Sequence, residues 1–160
     1  MDARQAIQLS IDMGKMISMG YLSDLTDDEM MKRPCAGCNH IKWQIGHLIS
    51  SEQSMIEGLF PGSMPQLPPG FAEKYSKEAA QSDNPSDFHT KAELLATFEA
   101  VRAGTLAALA KMNDADLDAP TGVHYAPTKA AMFELQASHW LMHAGQWAVI
   151  RRQCGRAPLF

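Results

Sequence analysis

Two histidines near the end of the chain have the spacing of a helical metal site. His139 and His143 are four residues apart, so on a helix their imidazoles lie on one face, roughly 6 Å apart. Two imidazoles with this spacing can bind one transition-metal ion, as the histidines of a helical H-E-x-x-H motif do. The pair therefore predicts either a metal centre or two structural histidines that hydrogen bond to backbone or glutamine groups.

The helical stripe that contains this pair is apolar at its ends and polar in its middle. Burying such polar groups without partners would cost about 1–3 kcal/mol each, so they need ligands, water or one another. Gln146 follows His143 by one turn and Gln136 precedes His139 by nearly one turn. We expect both amides to orient the imidazoles or to contact a substrate. The stripe has a four-three spacing and consists of Met132, Gln136, His139, His143, Gln146 and Ile150.

The second helical segment adds further polar residues. His47 lies beside its apolar stripe, four residues after Trp43; alone, it would be interpreted as a structural histidine. Glu52 lies within the apolar stripe and is either a general base or a carboxylate tolerated at the edge of the core. On a helix Glu52 points about 140° away from His47, which makes it the weaker candidate for chemistry.

Four segments of the chain have the periodicity of helices that pack in a bundle. They span residues 3–22, 40–59, 91–112 and 129–154. Asn39, Thr90 and Thr128 are the predicted N-caps of the last three helices, and Thr90 forms a capping box with Glu93. No segment shows β-alternation. The chain therefore predicts an all-α fold, a four-helix bundle.

A long connection rich in proline and glycine, residues 60–89, separates the second helix from the third. Connections of this length are uncommon within a domain, which predicts that this one crosses the fold, covers a site, or does both. A short helix could lie within it at residues 71–81. Such a crossover makes the second and third helices parallel, so the predicted directions are up-down-down-up. The length of 160 residues suits one domain, residues 1–160.

Composition and charge narrow the classes of partner. The formal net charge is −4 and no segment concentrates lysine and arginine, so we do not expect nucleic-acid binding. No apolar run approaches the roughly 18 residues of a membrane span. The first residues lack the pattern of a signal peptide, which favours a cytoplasmic protein.

The cysteines and the remaining histidines have weaker signals. Cys35 and Cys38 form a C-x-x-C motif, which can be a redox pair or half of a zinc site. No second C-x-x-C and no βαβ pattern accompanies it, so a thioredoxin-like role is disfavoured.

The histidines in or beside predicted loops are expected on the surface. Two tryptophans of the last helix are expected in a dimer contact or over the helix ends. These residues are His40, His89, His124, Trp140 and Trp147.

Taken together, the motifs resemble those of the DinB/YfiT-like superfamily. The resemblance covers nearly the whole chain, including the helix lengths and the long middle crossover. It depends on three short motifs, which are Trp43-Gln-Ile-Gly-His47-Leu48, His139-x-x-x-His143-x-Gly145-Gln146 and Arg152-x-x-Gly155.

The resemblance implies a three-histidine centre in which His47, His139 and His143 bind a divalent ion, usually zinc or nickel. Members of the superfamily are described as metal-dependent hydrolases, or as transferases and isomerases that use low-molecular-weight thiols such as bacillithiol, mycothiol or glutathione. They often form homodimers. We therefore expect a metal ion, a small-molecule substrate, a possible thiol cosubstrate and a second copy of the chain as partners.

Three neutral imidazoles and one open position are typical of a catalytic metal site. An ion there lowers the pKa of a bound water to about 7, or deprotonates a bound thiol. Trp43 and Met142 are expected in the apolar wall of such a site. Four hypotheses remain open: a hydrolase, a thiol S-transferase, a non-catalytic bundle that binds metal or a small ligand as a sensor or stress-response module, and an interaction module in which the histidines are structural.

Overall fold

Four long helices form the body of the computed structural model, which describes residues 1–159. They are α1 (Ala3–Leu22), α2 (Ile41–Leu59), α4 (Lys91–Ala110) and α6 (Lys129–Gln153). α1 packs mainly against α6, and α2 packs against both α4 and α6. The predicted helical bundle is confirmed, while the up-down-down-up order of directions stays a prediction.

Short elements connect the long helices. The hairpin of two strands, which was not predicted, begins at Pro120 and contains Gly122 at a φ of 77°, a conformation that glycine adopts without strain. The short elements are α3 (Phe71–Lys74), α5 (Asp114–Asp118), β1 (Pro120–Val123), β2 (Ala126–Thr128) and 3₁₀ turns at Glu29–Met31, Ala79–Gln81 and Pro85–Asp87. Within residues 1–159, no helix has both the length and the hydropathy needed to cross a membrane.

The N-caps of α4 and α6 are those predicted, whereas the N-cap of α2 is not. Thr90 and Glu93 form the reciprocal capping box of α4, and Thr128 caps α6. At α2 the prediction of Asn39 is wrong, because Nδ1 of His40 accepts the hydrogen bond from the Trp43 N–H at 3.1 Å. An unprotonated ring nitrogen can thus take the place of the usual side-chain oxygen.

The cap also places His40 in the interior. Its side chain is fully buried, with its ring centroid 4.5 Å from that of Phe88, so the expectation of a surface histidine is wrong here. His89 is half-buried and stacks on Phe71 at 5.0 Å. His124 is exposed, as predicted.

The buried face of α6 is rotated from the predicted polar stripe. Trp140 and Trp147 are both fully buried, and the Trp140 ring packs 4.4 Å from that of Phe98. The two tryptophans therefore belong to the core rather than to the surface, because burying their large apolar area stabilises the fold more than burying the predicted polar stripe would. His139 and His143 are only half-buried as a result, at the edge of the helix–helix contact.

A buried ion pair ties α2 to α4 and α6. The Glu52 carboxylate accepts hydrogen bonds from Nη2 of Arg102 at 2.8 Å, from the Thr105 hydroxyl at 2.7 Å and from Nε1 of Trp140 at 3.2 Å. The guanidinium of Arg102 lies 5.2 Å from the ring centroid of Phe98. Both charged groups are excluded from water, so each depends on the other for its solvation.

The long connection packs over α2. Its buried residues include Phe71, Tyr75 and Phe88, and Ser76 accepts a hydrogen bond from Nε1 of Trp43 at 2.8 Å. A Cβ atom at Gly46 would lie 2.2 Å from the Tyr75 ring, so this close approach requires glycine in α2. The crossover is therefore a fixed wall against this helix.

We expect Glu52→Gln to lower the free energy of unfolding by about 3–5 kcal/mol, because the Arg102 charge would remain buried without its counter-ion. Urea denaturation followed by circular dichroism measures this change. The matched control is Glu99→Gln, which breaks the exposed Lys15–Glu99 pair of 2.6 Å and should cost less than about 1 kcal/mol. Equal losses in the two variants would contradict the role assigned to the buried pair.

The buried cap predicts a pH dependence of stability. Burial, followed by the nearby charge of Arg33, lowers the pKa of His40 from 6.5 to about 4. The unfolded chain therefore binds a proton at His40 at a higher pH than the folded chain does. Stability contributed by the neutral ring is complete above about pH 6.5 and is lost as the pH falls toward 4.

His40→Asn keeps a capping group and removes this ionisation. We expect the variant to lose less unfolding free energy than the wild type between pH 7.5 and pH 5. Denaturant titrations at the two pH values test this, and other histidines that titrate in the window contribute equally to both proteins. An equal loss of unfolding free energy in the wild type and the variant would show that protonating His40 costs the folded protein little.

Candidate metal centre

Three histidines from two helices lie together at one wall of an open cavity. His47 comes from the middle of α2, and His139 and His143 come from adjacent turns of α6. One ring nitrogen of each can be chosen so that the three atoms lie within 4.8 Å of one another. The ring centroid of His47 lies 5.6 Å from that of His139 and 6.0 Å from that of His143.

The orientation of His47 is set by Trp43, one turn earlier in α2. The two rings are stacked, with centroids 4.9 Å apart and planes inclined by 4°. Trp43 is itself fixed, since it is buried and its Nε1 donates to the crossover at Ser76. The α2 helix and the crossover thus jointly determine which way the His47 imidazole faces.

The orientation of His143 is set by Gln44, which the sequence pattern did not indicate as a site residue. Oε1 of Gln44 lies 2.9 Å from Nδ1 of His143 and accepts from Nε1 of Trp147 at 2.8 Å. Its Nε2 donates to the carbonyl of Asn39 at 2.6 Å and to Oε1 of Gln146 at 2.9 Å. All four hydrogen-bonding positions of the amide are therefore used.

This arrangement fixes both the amide and the tautomer of the imidazole. An indole N–H can only donate, so the group of Gln44 that faces Trp147 must be the carbonyl oxygen. The same oxygen faces Nδ1 of His143, which must then carry the proton. Nε2 of His143 is consequently the nitrogen whose lone pair is available to a metal ion.

Burial keeps the three imidazoles uncharged at neutral pH. It is the main cause that lowers the pKa of His47 and His139, with the charge of Lys77 adding to the effect on His47. For His143, burial and the neighbouring imidazoles lower the pKa to about 4. Neutral imidazole is the form that binds metal, so protons compete weakly with an ion at this site.

The cavity in front of the histidines has a volume of about 480 Å³, which suits a small molecule. The crossover, α2 and α6 each contribute residues to its wall. Its lining contains one cationic side chain and, within the described part of the chain, no carboxylate. The lining residues are Asn39, Trp43, His47, Lys77, Ala80, Gln81, His139, Met142 and His143.

The predicted neighbours of the histidines have different environments. Trp43 and Met142 line the cavity, and Gln146 is exposed and reaches His143 only through Gln44. Gln136 is buried and donates to the carbonyl of Met132 at 2.8 Å. These positions favour Trp43 and Met142 as contacts for a ligand and leave Gln136 a structural role.

Glu52 is engaged elsewhere. Its carboxylate is fully buried among Arg102, Thr105 and Trp140, and it does not line the cavity. The geometry therefore does not favour Glu52 as a general base.

A sequence signal for Gln44 did exist. Gln44 is three residues after Ile41 and four before Leu48, so it occupies the same face as these apolar residues. A polar residue in such a stripe requires buried partners.

The residues present fit a divalent ion. In a tetrahedral site, nitrogen ligands about 2.0–2.1 Å from zinc lie roughly 3.4 Å from one another. The three ring nitrogens lie within 4.8 Å of one another, so the rings would turn inward to bind an ion. Three neutral nitrogen ligands facing an open cavity match the donor set of catalytic rather than structural zinc sites.

The fold and the site define a helical bundle with a three-histidine group able to hold a metal ion. A family model described as the DinB superfamily matches residues 13–147, and the chain belongs to this superfamily. No curated protein matches the chain. The crystal structure of a conserved protein from Enterococcus faecalis is similar in fold, with a TM-score of 0.70 and 17% sequence identity, over 98% of this chain and 99% of that chain.

We expect Gln44→Met to weaken zinc binding about 10- to 100-fold, because His143 would lose the acceptor that fixes its tautomer and orientation. Competition with a chromophoric chelator measures the dissociation constant. Gln53→Met is the matched control, since Gln53 lies in the same helix and its amide makes only a long contact of 3.5 Å to Pro65. Similar affinities in both variants, with both folded, would show that Gln44 does not support the site.

Proposed function

We propose that the protein is a metal-dependent enzyme in which His47, His139 and His143 hold one divalent ion, zinc or nickel. The observation that carries this proposal is the convergence of three neutral, half-buried imidazoles on a cavity of about 480 Å³. A structural metal site would instead be closed by a fourth protein ligand. The family membership supports the same interpretation.

The proposed nucleophile is a low-molecular-weight thiol, and water is the second candidate. A bound divalent ion supplies Lewis acidity, which lowers the pKa of a thiol or water that it binds. Hydrolysis of an ester or amide also needs a group that transfers a proton to the leaving group. Among residues 1–159, the lining offers no carboxylate for this step, whereas attack by a thiol on an electrophilic carbon can proceed without one.

The residues around the histidines have complementary roles in this proposal. Lys77 is exposed at the rim, where its ammonium group attracts an anionic group of the thiol or of the substrate. Trp43 and Met142 provide apolar contact area for the electrophile. The Asn39 side of the cavity adds polar surface. The substrate class that fits is a small electrophile with apolar and anionic parts.

We expect untagged protein to contain about one zinc or nickel ion per chain, and the His47→Ala, His139→Ala, His143→Ala triple variant to contain almost none. Plasma mass spectrometry measures both. The control is His124→Ala, which removes an exposed histidine outside the cluster and should leave the metal content unchanged. The loaded protein is then assayed with glutathione and bacillithiol against electrophiles, and with ester and amide substrates without thiol.

Thiol consumption that requires both the metal and the three histidines would support the transferase. Hydrolysis without thiol would favour the second candidate. A stoichiometric ion with neither activity would favour a metal-binding sensor or stress-response module. Failure to bind zinc or nickel after reconstitution would overturn the metal centre itself.

A further inference from the structure

A disulfide lies beside the candidate metal centre, in the turn that leads into α2. Cys35 and Cys38 are bonded, with Cα atoms 5.5 Å apart. The Cys38 N–H donates to the Cys35 carbonyl at 3.1 Å, which closes a four-residue turn, and Gly37 has a positive φ of 78° that glycine adopts without strain. This turn holds the two Cα atoms at a separation that a disulfide can span.

The two cysteines differ in their access to solvent. Cys35 is exposed, as are the two residues between the cysteines, whereas Cys38 is half-buried. The guanidinium of Arg33 donates to the Cys38 carbonyl at 2.8 Å, and the first turn of α2 begins three residues after Cys38. Because Cys35 is exposed and Cys38 is half-buried, Cys35 is the sulfur open to attack and Cys38 is the sulfur that leaves as a thiolate.

The chain before this turn is held in place. Arg33 also donates to the carbonyl groups of Ala80 at 2.9 Å and Ser82 at 3.2 Å, and Nε2 of Gln153 donates to the Pro34 carbonyl at 2.9 Å. The same guanidinium holds the Cys38 carbonyl at 2.8 Å, so the turn is held at both ends. A change in the bond between the cysteines therefore acts on the peptide group that joins Cys38 to Asn39.

The residue after Cys38 is Asn39, and two hydrogen bonds through Gln44 link it to His143 of the candidate centre. The Asn39 carbonyl accepts from Nε2 of Gln44 at 2.6 Å, and Oε1 of Gln44 accepts from Nδ1 of His143 at 2.9 Å. One peptide bond and two hydrogen bonds therefore join Cys38 to His143. Asn39 also lines the cavity, so the turn borders the space in which a ligand would bind.

We propose that Cys35 and Cys38 form a redox-active pair that exchanges with low-molecular-weight thiols and disulfides, and that its state sets the metal affinity of the histidines through Asn39, Gln44 and His143. The second part rests on the proposed function, whereas the redox activity of the pair does not.

The exchange is balanced in two steps. A thiolate RS⁻ attacks the Cys35 sulfur, the Cys35–Cys38 bond breaks, and Cys38 leaves as a thiolate. A second RS⁻ attacks the small-molecule sulfur of the mixed disulfide, which forms RSSR and releases the Cys35 thiolate. The two protons lost by the two RSH molecules pass to the cysteines. The protein disulfide gains two electrons, and two RSH are oxidised to RSSR.

The first test is a redox titration of the full chain with Cys154→Ser, which removes the one cysteine outside the pair. The protein is equilibrated with mixtures of reduced and oxidised glutathione, alkylated and weighed by mass spectrometry. We expect one transition between zero and two alkylated cysteines that reverses when the mixture is reversed. A disulfide that a large excess of reduced glutathione leaves intact would overturn the redox activity, since structural disulfides resist the glutathione pool.

The second test measures coupling to the histidines. A reduced pair can itself bind zinc, so Cys35→Ser with Cys38→Ser represents the open state without thiols. We expect the zinc dissociation constants of this variant and of the disulfide form to differ about five-fold or more. The difference should disappear when both proteins also carry Gln44→Met, because the path to His143 is then broken. Equal dissociation constants before that substitution would overturn the coupling.

A readout without metal separates the two proposals. Side-chain ¹⁵N spectra report the tautomer and the environment of the His143 ring in the metal-free protein. If zinc binds to neither form, the proposed function fails, and a shift of the His143 ring nitrogens between the two forms would still support the coupling. Identical ring-nitrogen spectra in both forms would overturn it.

Discussion

The geometry of the candidate centre depends on the side-chain amide of Gln44. This group joins the start of α2 to three residues of α6, which are His143, Gln146 and Trp147, and its Nε2 also donates to the Asn39 carbonyl. Because every donor and acceptor position of the amide is used, rotating it by half a turn would oppose donor to donor at Trp147. The amide therefore has one orientation, and it imposes one tautomer on the imidazole.

A second polar group lies two turns further along α2. Glu52, Arg102 and Trp140 connect α2, α4 and α6 inside the core, where a misplaced partner would leave a charge without solvation. Apolar packing tolerates small sliding of helices, but hydrogen-bonded buried groups do not. Together the two polar groups fix the rotation and the height of α6 relative to α2. Three histidines from these two helices can thus face one another without a metal ion.

Helix positions and most caps followed from the sequence, since periodicity, the Thr90 capping box and Thr128 are local signals. The histidine group followed from the spacing of His139 and His143 together with the resemblance of the motifs. What could not be predicted depended on competition between neighbours. The tryptophans of α6 rotated the buried face away from the polar stripe, and His40 rather than Asn39 became the cap because burial against Phe88 stabilised it. Gln44 was overlooked because its partners are about one hundred residues away in the chain.

The close approach of Tyr75 to Gly46 has a consequence for how such a molecule can diversify. Tyr75 and the Trp43–Ser76 hydrogen bond attach the crossover to α2 at one place, and the cavity-lining segment 77–81 follows immediately. The attachment and the buried Ala80 belong to the scaffold, whereas the side chains of Lys77 and Gln81 are exposed. Substitutions at these two exposed positions can therefore change the shape and charge of the cavity while the three histidines are retained. Under the proposed function, the residues that would bind the ion are therefore separate from those that would select the substrate.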